Sequence, residues 1–191
     1  MSPRVAAVVL AAGRGRRMGG STPKHLIPVG GTPMVVRVVR ALRESRAEQV
    51  VAVLRPGETA CRAALEAAGA SVVYAESANE GRAASIRAGV RAAGPELDGV
   101  LFALADQPFL GPGDFDALIE RLGERPDAIV HACYAGERGS PVLFAARFRG
   151  DLLRLRGSQG GRELILRYPG DAIGVELEPE AGRDLDRPED L

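Results

Sequence analysis

Lysine and asparagine occur once each in the 191 residues of this chain, and cysteine and histidine twice each. Net charge is missing too: 25 basic residues face 25 acidic ones, for a formal total of +0. A general nucleic-acid binder needs a surplus of Lys and Arg to displace counterions, so this balance argues against that class. No apolar run approaches the ~20 residues of a membrane span, and none is expected. The N-terminus leads almost directly into a strand-like stretch without a signal-peptide cleavage pattern, so a cytoplasmic location is expected. Cys61 and Cys133 lie far apart, with no CxxC or Cys/His cluster. That argues against zinc and fits two free thiols in a reducing compartment.

The scarcity of lysine points to particular residues. All basic residues but Lys24 are arginine, and Asn79 is the sole asparagine. A coding bias toward Arg explains the general pattern. Where Lys and Asn persist against such a bias, chemistry is a candidate reason. A lysine ammonium is a compact point charge that a planar guanidinium does not replace.

What is present is a hydrophobic share of 46%, enough for a core, in a length within the ~100–200 residues of one domain. Val5–Leu10 is a short, wholly apolar run, as expected of a strand buried on both faces. A long loop rich in Gly and Arg follows, and Pro33 opens a predicted helix reaching about Ser45. Arg37, Arg40 and Arg43 recur on that helix opposite a Val/Leu face and read as its solvated side. Strands are predicted at Val50–Leu54, Ser71–Tyr74 and Val100–Ala105, with helices at Glu58–Ala68 and Gly81–Ala93. This β-α-β alternation implies an α/β fold with a mostly parallel sheet. Ligands of such sheets bind beyond the carboxyl ends of the strands, where the loops after Leu10, Tyr74 and Ala105 belong. Beyond residue 110 the pattern is less regular. Helices are predicted at Asp114–Leu122, Arg147–Leu155 and Gly161–Arg167, with strands near Ala128–Ala132, Pro141–Phe144 and Ile173–Leu177. No linker, repeat or low-complexity stretch interrupts the chain. A single unit over 1–191 is expected, with 1–110 holding a nucleotide and 111–191 shaping an acceptor site.

Four segments carry candidate chemistry. Leu10 to Lys24 reads LAAGRGRRMGGSTPK. Its glycines let the backbone approach phosphate oxygens, and Arg14, Arg16, Arg17 and Lys24 surround them with positive charge, as suits a triphosphate. The dinucleotide fingerprint fails because Met18 stands where its third glycine would be. The Walker pattern fails because Ser21 follows Gly20. Asp106 ends an apolar strand. It either caps the turn before Pro108 or binds a hard cation such as Mg²⁺ at the ligand edge, and the neighbouring glycine loop favours the cation. Asp184 and Asp186 have the period-2 spacing that puts both on one face of a strand. They are either a solvated acidic tail or a source of a second metal ligand. Ser77 to Gly81, leading into Ser85, either caps the following helix or lets Asn79 read a base or ribose hydroxyl.

In this order, LAAGRGRRMG, PKHL, NEGRAASIRAG, ADQPF, GERGSPVLF and DLDRPEDL resemble the molybdenum-cofactor cytidylyltransferases and their MobA-like relatives, over nearly the whole chain. The resemblance implies the three-layer Rossmann-like fold of nucleotide-diphospho-sugar transferases. It implies CTP, or GTP in the guanylyl branch, with Mg²⁺ and a phosphorylated pterin-dithiolene acceptor. It places Leu10, Ala11, Ala12, Gly13 and Gly15 at the nucleotide, with Arg17 and Lys24 on the triphosphate and Asp106 on Mg²⁺. Asn79, Gly81 and Ser85 would lie beside the nucleoside. Ala12 stands where the guanylyl branch has a second glycine, which favours CTP. Ser140, Gly157-Ser158 and Arg187 depart from the His, Gly-Asp and Thr usual at those places. The first two bear on the acceptor and the third adjoins Asp186.

The implied reaction is in-line attack of an acceptor phosphate oxygen on the α-phosphorus of CTP. A phosphate is already ionised at neutral pH and needs no strong base. This fits a chain with two histidines and no nucleophile motif. His25, beside Lys24, receives no catalytic role, and His131 reads as a packed side chain. Two rivals remain at this level. One is a transferase of the same fold acting on a sugar phosphate or phospholactate. The other is a non-catalytic accessory protein that delivers the molybdenum cofactor to a partner hydroxylase.

Overall fold

The computed structural model describes residues 2–13, 23–75 and 81–185. Arg14, Gly15, Arg16, Arg17, Asn79 and Asp186, singled out above, lie outside the described residues.

The VAAVVL run forms β1 (Val5–Leu10), buried over its first five residues. It is hydrogen-bonded in parallel on one side to β4 (Gln49–Leu54) and on the other to β6 (Gly99–Leu104). The chain leaves β1 through a two-stranded ribbon, β2 (Pro28–Val29) and β3 (Thr32–Pro33), and helix α1 (Met34–Glu44). After β4 come α2 (Thr59–Ala67), β5 (Ser71–Tyr74), α3 (Arg82–Ala93) and β6. The second half adds α4 (Pro112–Glu124), β7 (Ile129–Tyr134), β8 (Glu137–Ala145), α5 (Arg149–Arg154), α6 (Gly161–Arg167) and β9 (Ala172–Leu177).

One seven-stranded sheet runs in the order β5-β4-β1-β6-β8-β7-β9. It is mostly parallel, as expected from the sequence. The exception is β8, antiparallel to both β6 and β7. Helices α1, α2 and α4 pack in one group, and α3, α5 and α6 in another, giving three layers. The chain steps outward from β1 to β4 and β5, then returns to β6 on the other side of β1. Ligand crevices of open α/β sheets form at such reversals of strand order. The loops after β1 and β6, which carry Lys24 and Asp106, both leave the sheet there. Among the described residues, no helix is long and apolar enough to cross a membrane.

Several expectations need correction. Helix α4 begins at Pro112, before Asp114, whose carboxylate accepts the Gly111 N–H at 2.8 Å. Strand β8 is far longer than Pro141–Phe144, because its polar half pairs with the end of β7, Cys133 opposite Arg138 and Tyr134 opposite Glu137. Helix α5 covers only Arg149–Arg154, after a 3₁₀ turn at Ala146–Phe148. Asp184 is not in a strand, since the chain leaves a 3₁₀ turn at Pro179–Gly182 without pairing to the sheet. Arg37 is not merely solvated. Its guanidinium donates to the carbonyls of Pro108 (3.2 Å) and Val29 (3.5 Å), tying α1 to the loop after β6.

Candidate active site

Pro23 enters a single 3₁₀ turn, Lys24–Leu26, whose Lys24 and His25 are buried. At the facing edge, the chain passes Leu104 and turns, with Gln107 N–H bonding the Leu104 carbonyl at 3.4 Å. The two turns meet through one ion pair: Lys24 Nζ lies 2.6 Å from Asp106 Oδ2. The lysine side chain is 6% exposed and the carboxylate 24%. The ammonium is therefore almost out of water, while the carboxylate keeps an open side. Charge compensation permits this, because a buried ammonium without a partner would be costly. Lys24 and Asp106, picked out separately in the sequence, thus sit against each other.

His25 is 6% exposed, its ring packed beside the Gly13 backbone. Burial pushes its pKa below the ordinary 6.5; Asp106 and Glu58 oppose that shift and Lys24 adds to it. Burial thus favours the neutral form of the ring. His131 is also buried, its Nδ1 near the Ala132 carbonyl at 3.1 Å, and burial lowers its pKa as well. It is a packed side chain of β7. Cys61 and Cys133 are free thiols. Burial pushes Cys61 up to about 11 and raises Cys133 too, so neither is an activated nucleophile.

The tail reaches the same place. Leu185 N–H donates to the Asp106 carbonyl at 3.0 Å, and Gln107 Nε2 to the Gly182 carbonyl at 3.0 Å. Asp184 is thereby held on the segment next to Asp106. Among the described residues only Lys24 bonds the Asp106 carboxylate, through one oxygen. No three His, Cys, Asp or Glu side chains converge among them. With its open side, the Asp106 carboxylate is a hard oxygen donor of the kind a divalent cation takes.

At the other expected nucleotide positions, Leu10 ends β1, Ala11 is buried, Ala12 half-buried and Gly13 exposed. Gly81 caps α3 with φ +82°, and a Cβ there would lie 2.5 Å from the Gly157 carbonyl oxygen. That oxygen accepts the Ala83 N–H at 3.2 Å. Close approach, not only turn geometry, therefore requires glycine at 81. Ser85 is buried in the first turns of α3.

Next to the pair lies a cleft of about 650 Å³ joining both halves of the chain. Leu10, Ile86, Phe102, Val142 and Ile165 form its apolar wall. Leu166, the one large apolar side chain left exposed among the described residues, stands on its rim. Arg82, Arg138 and Arg162 line it as well, and all three are exposed. Gln107, Tyr134 and Asp184 close the side toward Asp106. Sequence reasoning missed this cleft and most of its residues. A visible sign was the alternation of Arg with apolar residues in GRAASI and GRELIL.

Residues 7–172 match the MobA-like NTP transferase domain. The chain belongs to that family. Among curated relatives, it is 39% identical over 129 residues to a 2-C-methyl-D-erythritol 4-phosphate cytidylyltransferase of Frankia casuarinae, covering 68% of this chain and 48% of that protein. A protein of the same name from Cereibacter sphaeroides strain KD131 is 30% identical over 193 residues, covering 94% and 85%. The chain spans about half the length of the first of these relatives. Among solved structures, Rv0371c from Mycobacterium tuberculosis superposes with a TM-score of 0.85 at 29% identity, over 100% of this chain and 96% of that one. Its complex with manganese gives 0.76 at 28%, over 92% and 89%.

Proposed function

We propose that this chain transfers the cytidylyl group of CTP to a phosphorylated small molecule, releasing pyrophosphate. The observation that carries the reading is the Lys24–Asp106 pair at 2.6 Å, set at the reversal of strand order and beside the arginine-lined cleft. Family membership and the cytidylyltransferase names of the relatives support it. In this reading Lys24 turns from Asp106 to the triphosphate and neutralises its oxygens. Asp106 would hold the cation through its open side, with Asp184 or Asp186 as a second ligand. Mg²⁺ supplies charge neutralisation at the reacting phosphates. Leu10 to Gly13, with Gly15 and Arg17, border the triphosphate, and Asn79, Gly81 and Ser85 border the nucleoside. An acceptor phosphate oxygen attacks the α-phosphorus in line; it is ionised already, and His25 takes no proton. Residues 1–110 hold the nucleotide and lend one wall to the acceptor cleft, which 111–191 complete.

For the acceptor we favour a phosphorylated pterin-type cofactor. An apolar wall with an exposed Leu166 suits a flat ring, and three arginines without ion-pair partners among the described residues suit its phosphate. A second reading, 2-C-methyl-D-erythritol 4-phosphate, follows from the names of the relatives. Its hydroxyl groups have Gln107, Tyr134 and Ser140 to pair with on the polar side of the cleft, while the apolar wall would stay uncovered. Pyrophosphate release, measured with four NTPs against molybdopterin, 2-C-methyl-D-erythritol 4-phosphate and a sugar phosphate, separates these. Turnover only with CTP and the pterin supports the favoured reading. Turnover with the methylerythritol phosphate alone replaces the acceptor, and no release with any pair ends the transferase reading.

A further inference from the structure

We infer that Gln107 is a positioning residue that holds the tail carboxylate Asp184 beside Asp106, so that the two can share a divalent cation. The inference rests on the cation reading of Asp106 given above. Asp184 lies in a segment outside the sheet, so its backbone takes its place from contacts other than strand pairing. Two hydrogen bonds and one cation–ring contact fasten it to the loop after β6, and one buried side chain anchors it. Gln107 Nε2 donates to the Gly182 carbonyl at 3.0 Å, and Leu185 N–H to the Asp106 carbonyl at 3.0 Å. The Leu185 side chain is fully buried. The Arg183 guanidinium lies 4.7 Å from the centre of the Phe109 ring.

Tyr134 forms the floor of this fastening. Its hydroxyl donates to the Ser140 carbonyl at 2.6 Å, and its ring packs against Gly139 and Gly182 so closely that a Cβ at either glycine would enter the ring. Gln107 is 4% exposed, so its amide is fixed by packing as well as by the bond it donates. The same side chain is fused by sequence to Asp106 and bonded across space to Gly182. It therefore sets the separation of the two carboxylate-bearing segments, and neither its own oxygen nor its nitrogen need touch the metal. Groups that orient metal ligands in this way typically carry 10–100-fold in metal affinity.

The test is Mn²⁺ binding to the full chain without nucleotide or acceptor, read as loss of the free-ion signal in electron paramagnetic resonance. Gln107→Met keeps the side-chain length and removes the donor. We expect Mn²⁺ affinity to fall about tenfold, with the circular dichroism spectrum unchanged. Asp184→Asn should weaken binding similarly, and the double variant should bind no worse than Asp184→Asn alone, because Gln107 acts through Asp184. Gly182→Ala, which pushes the segment off the Tyr134 ring from its outer side, should reproduce the loss and serves if Gln107→Met does not fold. Undiminished Mn²⁺ binding in Gln107→Met or Gly182→Ala, or losses that simply add, overturns the positioning role while Asp106→Asn still abolishes binding. Binding unchanged in Asp106→Asn overturns the cation reading itself, and the positioning role with it.

Discussion

Replacing Lys24 by methionine keeps most of the side-chain volume and deletes the one cation paired with Asp106 among the described residues. The lysine is 6% exposed and the carboxylate 24%, at 2.6 Å. Breaking a fully buried pair costs about 3–5 kcal/mol, because the surviving charge is stranded. Asp106 retains an open side, so water recovers part of that, and about 2 kcal/mol is expected. For a domain of this size that is a fall in Tm of about 4–8 °C. The second replacement is diagnostic. Asp106→Asn in the Lys24→Met background removes the stranded charge, so the double variant should melt above Lys24→Met alone. Calorimetry on the four proteins of the cycle gives the coupling directly. If Lys24→Met melted with the parent, or the two changes simply added, the pair would not be the stabilised unit described above. Lys24→Arg tests the site differently. The longer planar guanidinium has no room at a position 6% exposed, so both stability and turnover should fall although the charge is kept.

Asp106→Asn by itself should fold and lose turnover by orders of magnitude, as shown by pyrophosphate release across a Mg²⁺ titration; unaltered Mg²⁺ dependence would remove Asp106 from the site. Gly81→Ala places a methyl against the Gly157 carbonyl at positive φ and should cost about 1–3 kcal/mol in urea unfolding, with a raised KM for CTP. His25 and His131 both have their pKa lowered by burial, so the unfolded chain binds more protons than the folded one as pH falls through 6.5. Stability should accordingly be full above that pH and decline below it, and His131→Gln should flatten the decline in Tm measured from pH 7 to 5. Ala12→Gly should narrow the preference for CTP over GTP, expected at roughly 10–200-fold in kcat/KM for the parent from steric exclusion of the purine; a parent that prefers GTP would reverse the choice of base.

The parallel half of the fold was legible because its strands are buried on both faces. VAAVVL and VLFALA leave no polar position to confuse the period, and each is followed by glycine- or proline-bearing turns. The second half was less legible because its strands serve two surroundings at once. In β8 the stretch Leu143 to Ala145 packs in the core, while Glu137 to Ser140 faces the cleft. A hydrophobic pattern marks only the first part. The β2–β3 ribbon carried a signal that was overlooked: Gly30-Gly31, with φ +56° and +80°, is the two-residue turn that tight hairpins prefer.

Composition and strand position located individual site residues, but pairing came only from the fold. Lys24 stood out as the sole lysine and Asp106 as a carboxylate ending an apolar strand. Nothing local says that residues 82 positions apart touch. Arg37 shows the opposite limit. A helix wheel assigns it to the solvated stripe with Arg40 and Arg43, yet it lies where α1 passes the loop after β6, and its guanidinium reaches the Pro108 carbonyl. A stripe defined by period has edges, and a long side chain at an edge is free to turn inward along its methylenes. Gln107 escaped notice for a related reason. An amide between Asp and Pro has the appearance of any turn residue. What distinguishes it is a partner, the Gly182 carbonyl, 75 residues away. The groups that do chemistry were thus visible from their own rarity and placement. Those that aim them depend on which distant backbone atoms the fold brings within 3 Å, and no pattern in the chain encodes that locally.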